Sequence, residues 1–249
     1  MAGFSGKADD LADVGMIPHP AVTLLLSLGD VTLVVDDGDG HQQRERVVAG
    51  LAHRARGRGV PGSFEILQVR LSPVVAHVVL GVSFELGGAV AALDDLWGRD
   101  AVRVQEQLRA AGSWNDRFAL AEAALARRLD AGRPVDPEVA FCWRQLMASR
   151  GRARVERLAA DVGWSRKRLW SRFRSQIGLT PKRAAQLVRF DHAAHQLAAG
   201  GSAAEVAADS GYVDQSHLHR DVRAFAGVTP TAVAMAPFLA VDDVAWPGS

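Results

Sequence analysis

The C-terminal half of the chain repeats itself, and that repeat constrains the fold more than any other feature. Leu158-Ala-Ala-Asp-Val-Gly-Trp-Ser-Arg-Lys-Arg-Leu169, running on to Gly178-Leu179-Thr180-Pro181, recurs as Val206-Ala-Ala-Asp-Ser-Gly-Tyr-Val-Asp-Gln-Ser-His-Leu218, running on to Gly227-Val228-Thr229-Pro230. The offset is 48 residues up to the glycine and 49 after it. A fold for this chain must therefore hold two copies of one supersecondary unit at a set spacing.

Each copy reads as a helix-turn-helix. Paired alanines allow close helix packing, Gly163 and Gly211 can take the left-handed conformation that ends a first helix, and Ser165 and Asp214 can cap a second. In the second helix of the first copy Leu169 and Phe173 face the core. That leaves Lys167, Trp170, Ser171 and Arg174 as the opposite stripe, and the same places in the second copy are Ser216, His219, Arg220 and Arg223. Exposed polar and basic stripes suit helices lying in a DNA major groove, with Arg and Lys on phosphates and polar tips on base edges. Trp170 would meet a thymine methyl or a sugar. Arg166, Gln215 and His217, at the starts of the two helices, join the candidate DNA contacts. Pro181 to Ala198 reads as one continuous helix, which would set the two recognition helices about 34 Å apart, one turn of B-DNA.

The charge is sorted in the same way. The whole chain carries a net +1, yet between Arg150 and Pro237 there are 14 Lys and Arg against 7 Asp and Glu, which leaves 15 against 21 elsewhere. A basic half beside an acidic half is the footprint of a protein in which one domain meets a polyanion.

The first half has a different texture. From Pro20 to Leu80 β-branched residues cluster in short runs, among them 22–26, 31–35 and 66–71, separated by turn formers such as Asp36-Asp37-Gly38-Asp39-Gly40. This predicts antiparallel β-structure. After Gly87-Gly88 the Ala, Leu and Arg content predicts helices, over 100–111 and 114–129 in particular. A glycine and two prolines within 131–137 end that run, and Asp136-Pro137 should cap and start a helix reaching about Ala148. The expected fold is α+β: a β-rich, sensor-like domain with trailing helices over 1–133, an all-α domain with two helix-turn-helix units and a linker helix over 136–237, and a tail over 238–249.

Other constellations give no chemistry. No apolar run reaches the roughly 18 residues of a spanning helix, and the acidic start lacks the polarity of a secretory signal, so the expectation is a cytoplasmic protein with no membrane partner. Cys142 is the single cysteine, which excludes an internal disulfide and a cysteine zinc site; between Phe141 and Trp143 it reads as a buried structural thiol. His192 and His195 lack a third metal ligand nearby in sequence. His217 and His219 cannot face one ligand from a helix, Asp36 to Gly40 lacks the ligand spacing of a calcium loop, and Gly81-Val82-Ser83-Phe84-Glu85 lacks the closing glycine of a nucleophile elbow. No metal, cofactor or catalytic site is expected.

With these residues in view, the chain resembles the AraC/XylS family of transcription regulators over about 136–236. The specific part is Gly211-Tyr212-x-Asp214-Gln215-Ser216-His217-Leu218-x-Arg220 through Gly227-Val228-Thr229-Pro230, with Arg189-Phe190 and Ala193 matching the linker-helix pattern. Leu218 and Val222 depart from the family's usual phenylalanines, and the arginine expected shortly after Pro230 is missing. The resemblance implies activation or repression of transcription through promoter DNA, with RNA polymerase as a further partner. The N-terminal half is similar, more faintly, to the β-rich sensor domains of actinobacterial members, which bind small-molecule effectors or form homodimers. The helices within 100–129 are the expected dimer surface. Some relatives accept alkyl groups on a cysteine, but through a cysteine-rich metal domain that this sequence does not have.

Overall fold

A computed structural model describes residues 1–7, 14–29, 33–36, 42–51, 55–59, 63–81, 87 and 90–235. They fall into two compact units, one of residues 1–16 and 21–135, the other of 17–20 and the chain from 136 onward. The expected tail, the tip of the turn after Asp36 and most of 81–85 lie outside the described residues.

The first unit is built on two antiparallel sheets. One has the order β1 (Ala2–Lys7), β8 (Ser63–Leu71), β3 (Val22–Ser27), β6 (Arg46–Ala49), β9 (Val90–Ala92); the other has β2 (Val14–Met16), β7 (Ala55–Gly59), β4 (Leu33–Asp36), β5 (Gln42–Arg44). Register places Leu25 opposite Val47 and Gln68, and Ser27 opposite Ile66. Because side chains alternate along a strand, Leu25, Val47, Phe64, Ile66 and Val90 share one face, where they pack with Val35 of the second sheet into a core edged by Phe4. The other face of β8 carries Glu65, Leu67, Val69 and Leu71 and is met by helices.

Those helices are α1 (Pro73–Leu80), α2 (Leu93–Trp97), α3 (Arg99–Ala110) and α4 (Trp114–Ala131). The last two lie within a residue or two of the predicted spans. α1 overturns the expectation of strand up to Leu80. Four valines signal β-structure there, but Ser72 accepts from the Val75 N–H, Pro73 fills the first turn and Gly81 closes the helix in the left-handed conformation. Local capping and packing of Ala76, Val79 and Leu80 outweigh a propensity that spans only about 1 kcal/mol per residue. β9 is a second correction, since a short strand interrupts the stretch read as wholly helical. Two polar bridges hold the helices to the sheet. Arg46 of β6 reaches both carboxylate oxygens of Asp94, at 2.6 and 2.8 Å, and also bonds Gln105, whose amide donates to the Ser27 carbonyl at 2.7 Å. On the far side Arg117 of α4 pairs with Glu65 of β8 at 3.0 Å.

Between residues 137 and 234 the second unit is built of helices: α5 (Pro137–Ala148), α6 (Val155–Asp161), α7 (Arg166–Ile177), α8 (Pro181–Ala198), α9 (Ala203–Asp209), α10 (Gln215–Ala226) and α11 (Pro230–Ala234). The repeat is visible in the bounds themselves, with α6 and α9 offset by 48 and α7 and α10 by 49. α8 spans 181–198 as read from the sequence, and its inward face buries Ala184, Leu187, Val188, Phe190, Ala194 and Leu197. Asp136 stands at the N-cap of α5 as expected, but its side chain makes no cap bond. Its carboxylate is taken by Arg172.

Candidate nucleic-acid interface

Local chemistry presents the second helix of each copy in the same way. Ser165 Oγ accepts from the Arg168 N–H at 3.2 Å to start α7, and Asp214 Oδ1 accepts from the His217 N–H at 2.7 Å to start α10. Gly178 and Gly227, both left-handed, end these helices by donating to the Arg174 and Arg223 carbonyls at 3.0 Å. Before each helix Gly163 and Gly211 turn the chain with φ of 66° and 74°. α9 has one device its twin lacks, a capping box between Ser202 and Glu205 that holds the Glu205 carboxyl below its usual range through the Ser202 hydroxyl and N–H.

With the caps in place, burial decides which face remains. Leu169, Phe173 and Ile177 of α7 and Leu218, Val222 and Phe225 of α10 are all buried. Arg166, Lys167, Trp170, Ser171 and Arg174 are exposed, as are Gln215, Ser216, His219, Arg220 and Arg223. His217 differs from the other candidates: it is half-buried, and its ring meets Tyr212 edge-on at 5.2 Å.

Neighbours divide the basic side chains. Arg172 forks onto Asp136 at 2.7 and 2.8 Å, and this contact holds the Asp136 carboxyl below the usual range, while the Asp136 backbone N–H donates to Gln176 Oε1 at 2.9 Å. Arg168 lies over Trp164, and Arg166 approaches Glu156 at 3.6 Å with both side chains in solvent. Lys167, His219 and Arg223 have no side-chain partner among the described residues, and Arg220 reaches only the Ser216 carbonyl of its own helix, at 3.4 Å. Arg174 sits 5.1 Å from the Trp170 ring centre, so the exposed indole has one face occupied by a cation.

A cluster behind α10 escaped the sequence reading. Asp221, 8% exposed, pairs with Arg189 of α8 at 3.3 Å, and the Arg189 guanidinium lies 4.7 Å from the Tyr212 ring centre. Burial, and then the Asp221 charge, push the Tyr212 hydroxyl well above its ordinary pKa. The signal was present, because Asp221 falls at i+3 from Leu218 and i−4 from Phe225, on the core face where an acid needs a partner. Leu218 and Val222 are completely buried; Phe225 stacks on Phe190 at 5.0 Å and is covered by the Arg183 guanidinium at 3.7 Å.

The histidines on α8 are placed for packing. His195 Nδ1 lies 2.8 Å from the Asp191 carbonyl, and His192 faces Arg150, burial and that cation lowering its pKa. Among the described residues no group of three His, Cys, Asp or Glu is placed to hold a metal, and no helix is long and apolar enough to cross a membrane.

Cys142 is fully buried on α5, its Sγ 3.9 Å from the Leu158 carbonyl, and burial, with Asp161 and Glu138 nearby, pushes the thiol up to about 11. At neutral pH it is a thiol without nucleophilic character. Dithionitrobenzoate is therefore expected to leave the native protein unlabelled at pH 7.5 and to react with one equivalent once urea unfolds the second unit; fast native labelling would contradict the buried placement.

Residues 158–235 match the model of a family described as a helix-turn-helix domain. No curated protein sequence matches the chain. Among solved structures the chain is similar to ToxT from Vibrio cholerae. One ToxT structure is 9% identical, with 95% of this chain and 99% of that chain covered and a TM-score of 0.53. Another, bound to (E)-4-(8-methylnaphthalen-1-yl)but-3-enoic acid, is also 9% identical, with the same coverage and a TM-score of 0.54.

Proposed function

We propose that this chain is a DNA-binding transcription regulator of the AraC type, its residues 158–235 matching a helix-turn-helix family model, and that it reads promoter DNA with the exposed stripes of α7 and α10. The observation that supports this most directly is the duplicated stripe itself. Lys167 and Ser216, Trp170 and His219, Ser171 and Arg220, Arg174 and Arg223 occupy equivalent exposed places on two equally capped helices. The basic charge of this half supplies sequence-independent affinity, and His219, Arg220, Gln215 and Ser216 supply base-edge contacts. Arg166, Lys167 and Arg174 serve the phosphates, Trp170 packs on a thymine methyl or a sugar, and His217 seats the start of α10 through Tyr212.

Gel-shift titration tests the assignment. Arg220→Ala or His219→Ala is expected to relax base preference and to cost about 1–3 kcal/mol. Arg174→Ala is expected to weaken binding to all sequences alike and to flatten the salt dependence by about one unit. An Arg220→Ala protein with unchanged affinity and preference would remove α10 from the groove.

The proposed domain boundaries, 1–133 and 136–237, give a second test. A fragment over 135–237 carries both readers and is expected to bind DNA as a monomer, with two protected major-groove segments roughly 10 base pairs apart. Inserting half a helical turn between the two segments should abolish tight binding, and tolerance of every spacer would mean that only one unit reads DNA.

The N-terminal unit, where residues 1–135 carry 17 Asp and Glu against 14 Lys and Arg, is read as the part that takes an effector or pairs with a second copy. A small acid bound to a protein of this fold, as in the ToxT complex, supports the effector role. RNA polymerase is the further partner, the chain acts in the cytoplasm, and it has no catalytic activity.

A further inference from the structure

The helices of the first unit line an open cleft of about 560 Å³, bounded by α1, α2, α3 and α4 and away from the core between the sheets. That volume lies within the roughly 300–1,000 Å³ of small-molecule sites. Its floor is apolar: Val79, Leu80, Trp97, Val104 and Ala124 are each less than a tenth exposed. The Trp97 indole N–H already donates to the Val79 carbonyl at 3.2 Å, so it has nothing to offer a ligand.

The wall is unlike the floor. Among the described lining residues, Arg103, Arg127 and Arg128 stand with one acid, Asp100. Asp100 is engaged by two of them, Arg103 at 2.8 Å and Arg128 at 3.2 Å, and Arg128 also lies over the Trp97 ring at 4.5 Å. Arg127 has no side-chain partner among the described residues. An apolar floor beside a wall with two positive charges in excess matches a molecule with an apolar body and one anionic group, and a guanidinium binds a carboxylate through a two-point fork. We propose that this cleft binds an apolar organic carboxylate, with its body on Trp97, Val104 and Ala124 and its carboxylate on Arg127.

The proposal rests on the effector reading of the N-terminal unit, and it names the site and the ligand class. The probe is decanoate below its micelle concentration, titrated calorimetrically into the full chain, with decanol as the neutral match. Decanoate is expected to bind at least tenfold more tightly than decanol. Arg127→Glu, an exposed change that leaves the fold intact by melting temperature, should weaken decanoate at least tenfold and leave decanol unchanged. Indole fluorescence should respond to decanoate in the wild-type chain and lose most of that response in Trp97→Phe. Absence of decanoate binding, equal binding of decanol, or unchanged binding by Arg127→Glu would each overturn the site. So would sedimentation showing that Arg127→Glu alters self-association alone, since the cleft would then be a contact between copies. Promoter binding by the wild-type chain is measured alongside: its loss would count against the regulator reading, whereas its persistence without decanoate binding counts against this cleft only.

Discussion

Gly151→Ala is expected to destabilise the C-terminal unit by about 3–5 kcal/mol, read as a large fall in its urea midpoint. Gly151 has φ of 72° in the turn between α5 and α6, where a side chain is already strained. A Cβ there would also strike the Ala185 carbonyl oxygen and lie 2.8 Å from the Arg189 nitrogen, both in the backbone of α8, which cannot move aside without breaking its own helix. The neighbouring Arg150 is left-handed too, with φ of 53°, but its side chain reaches solvent. Arg150→Gly relieves that strain and should leave stability within about 1 kcal/mol of the wild type, which makes it the control. If Gly151→Ala folds with an unchanged midpoint, α8 does not pack this closely on the turn.

The second large effect concerns Asp221. Removing it, as in Asp221→Ala, leaves the Arg189 guanidinium beneath Tyr212 without its anion, and the expected loss is about 3–5 kcal/mol. Replacing both partners, Asp221→Leu with Arg189→Met, takes away the charge together with its partner and should recover most of the stability, because an apolar pair avoids the desolvation cost. The cluster also fixes how α10 is rotated on α8. Single replacement should therefore weaken binding to specific and random DNA together, and the double replacement should restore both. A double variant as unstable as the single would show that Arg189 acts through Tyr212 rather than through Asp221. Urea unfolding and gel-shift titration of the same samples separate these outcomes.

What could be read from the sequence follows the range of the forces involved. The two helix-turn-helix units were legible because each signal acts within about four residues: Ser165 and Asp214 cap, Gly178 and Gly227 terminate, and Thr180-Pro181 and Thr229-Pro230 restart a helix. The duplication then certified them, since two independent copies of the same local code do not arise from composition. The exposed stripes came with them, because a helix with a known buried face has only one other.

The rest waited on partners far away in the chain. Pro73–Leu80 reads as strand by its valines and folds as helix because its caps and its seat against α4 decide the matter. Asp136 marks a helix start in the sequence, yet which group its carboxylate takes depends on Arg172, 36 residues on. Asp221 pairs with Arg189 at a separation of 32, and the excess of arginines around Asp100 exists only once α3 and α4 lie side by side. Sequence alone determined the units that local hydrogen bonds close. Tertiary structure decided the strand order, the buried ion pairs and the cleft, because burial strips charges and strands of water and only distant residues can replace it.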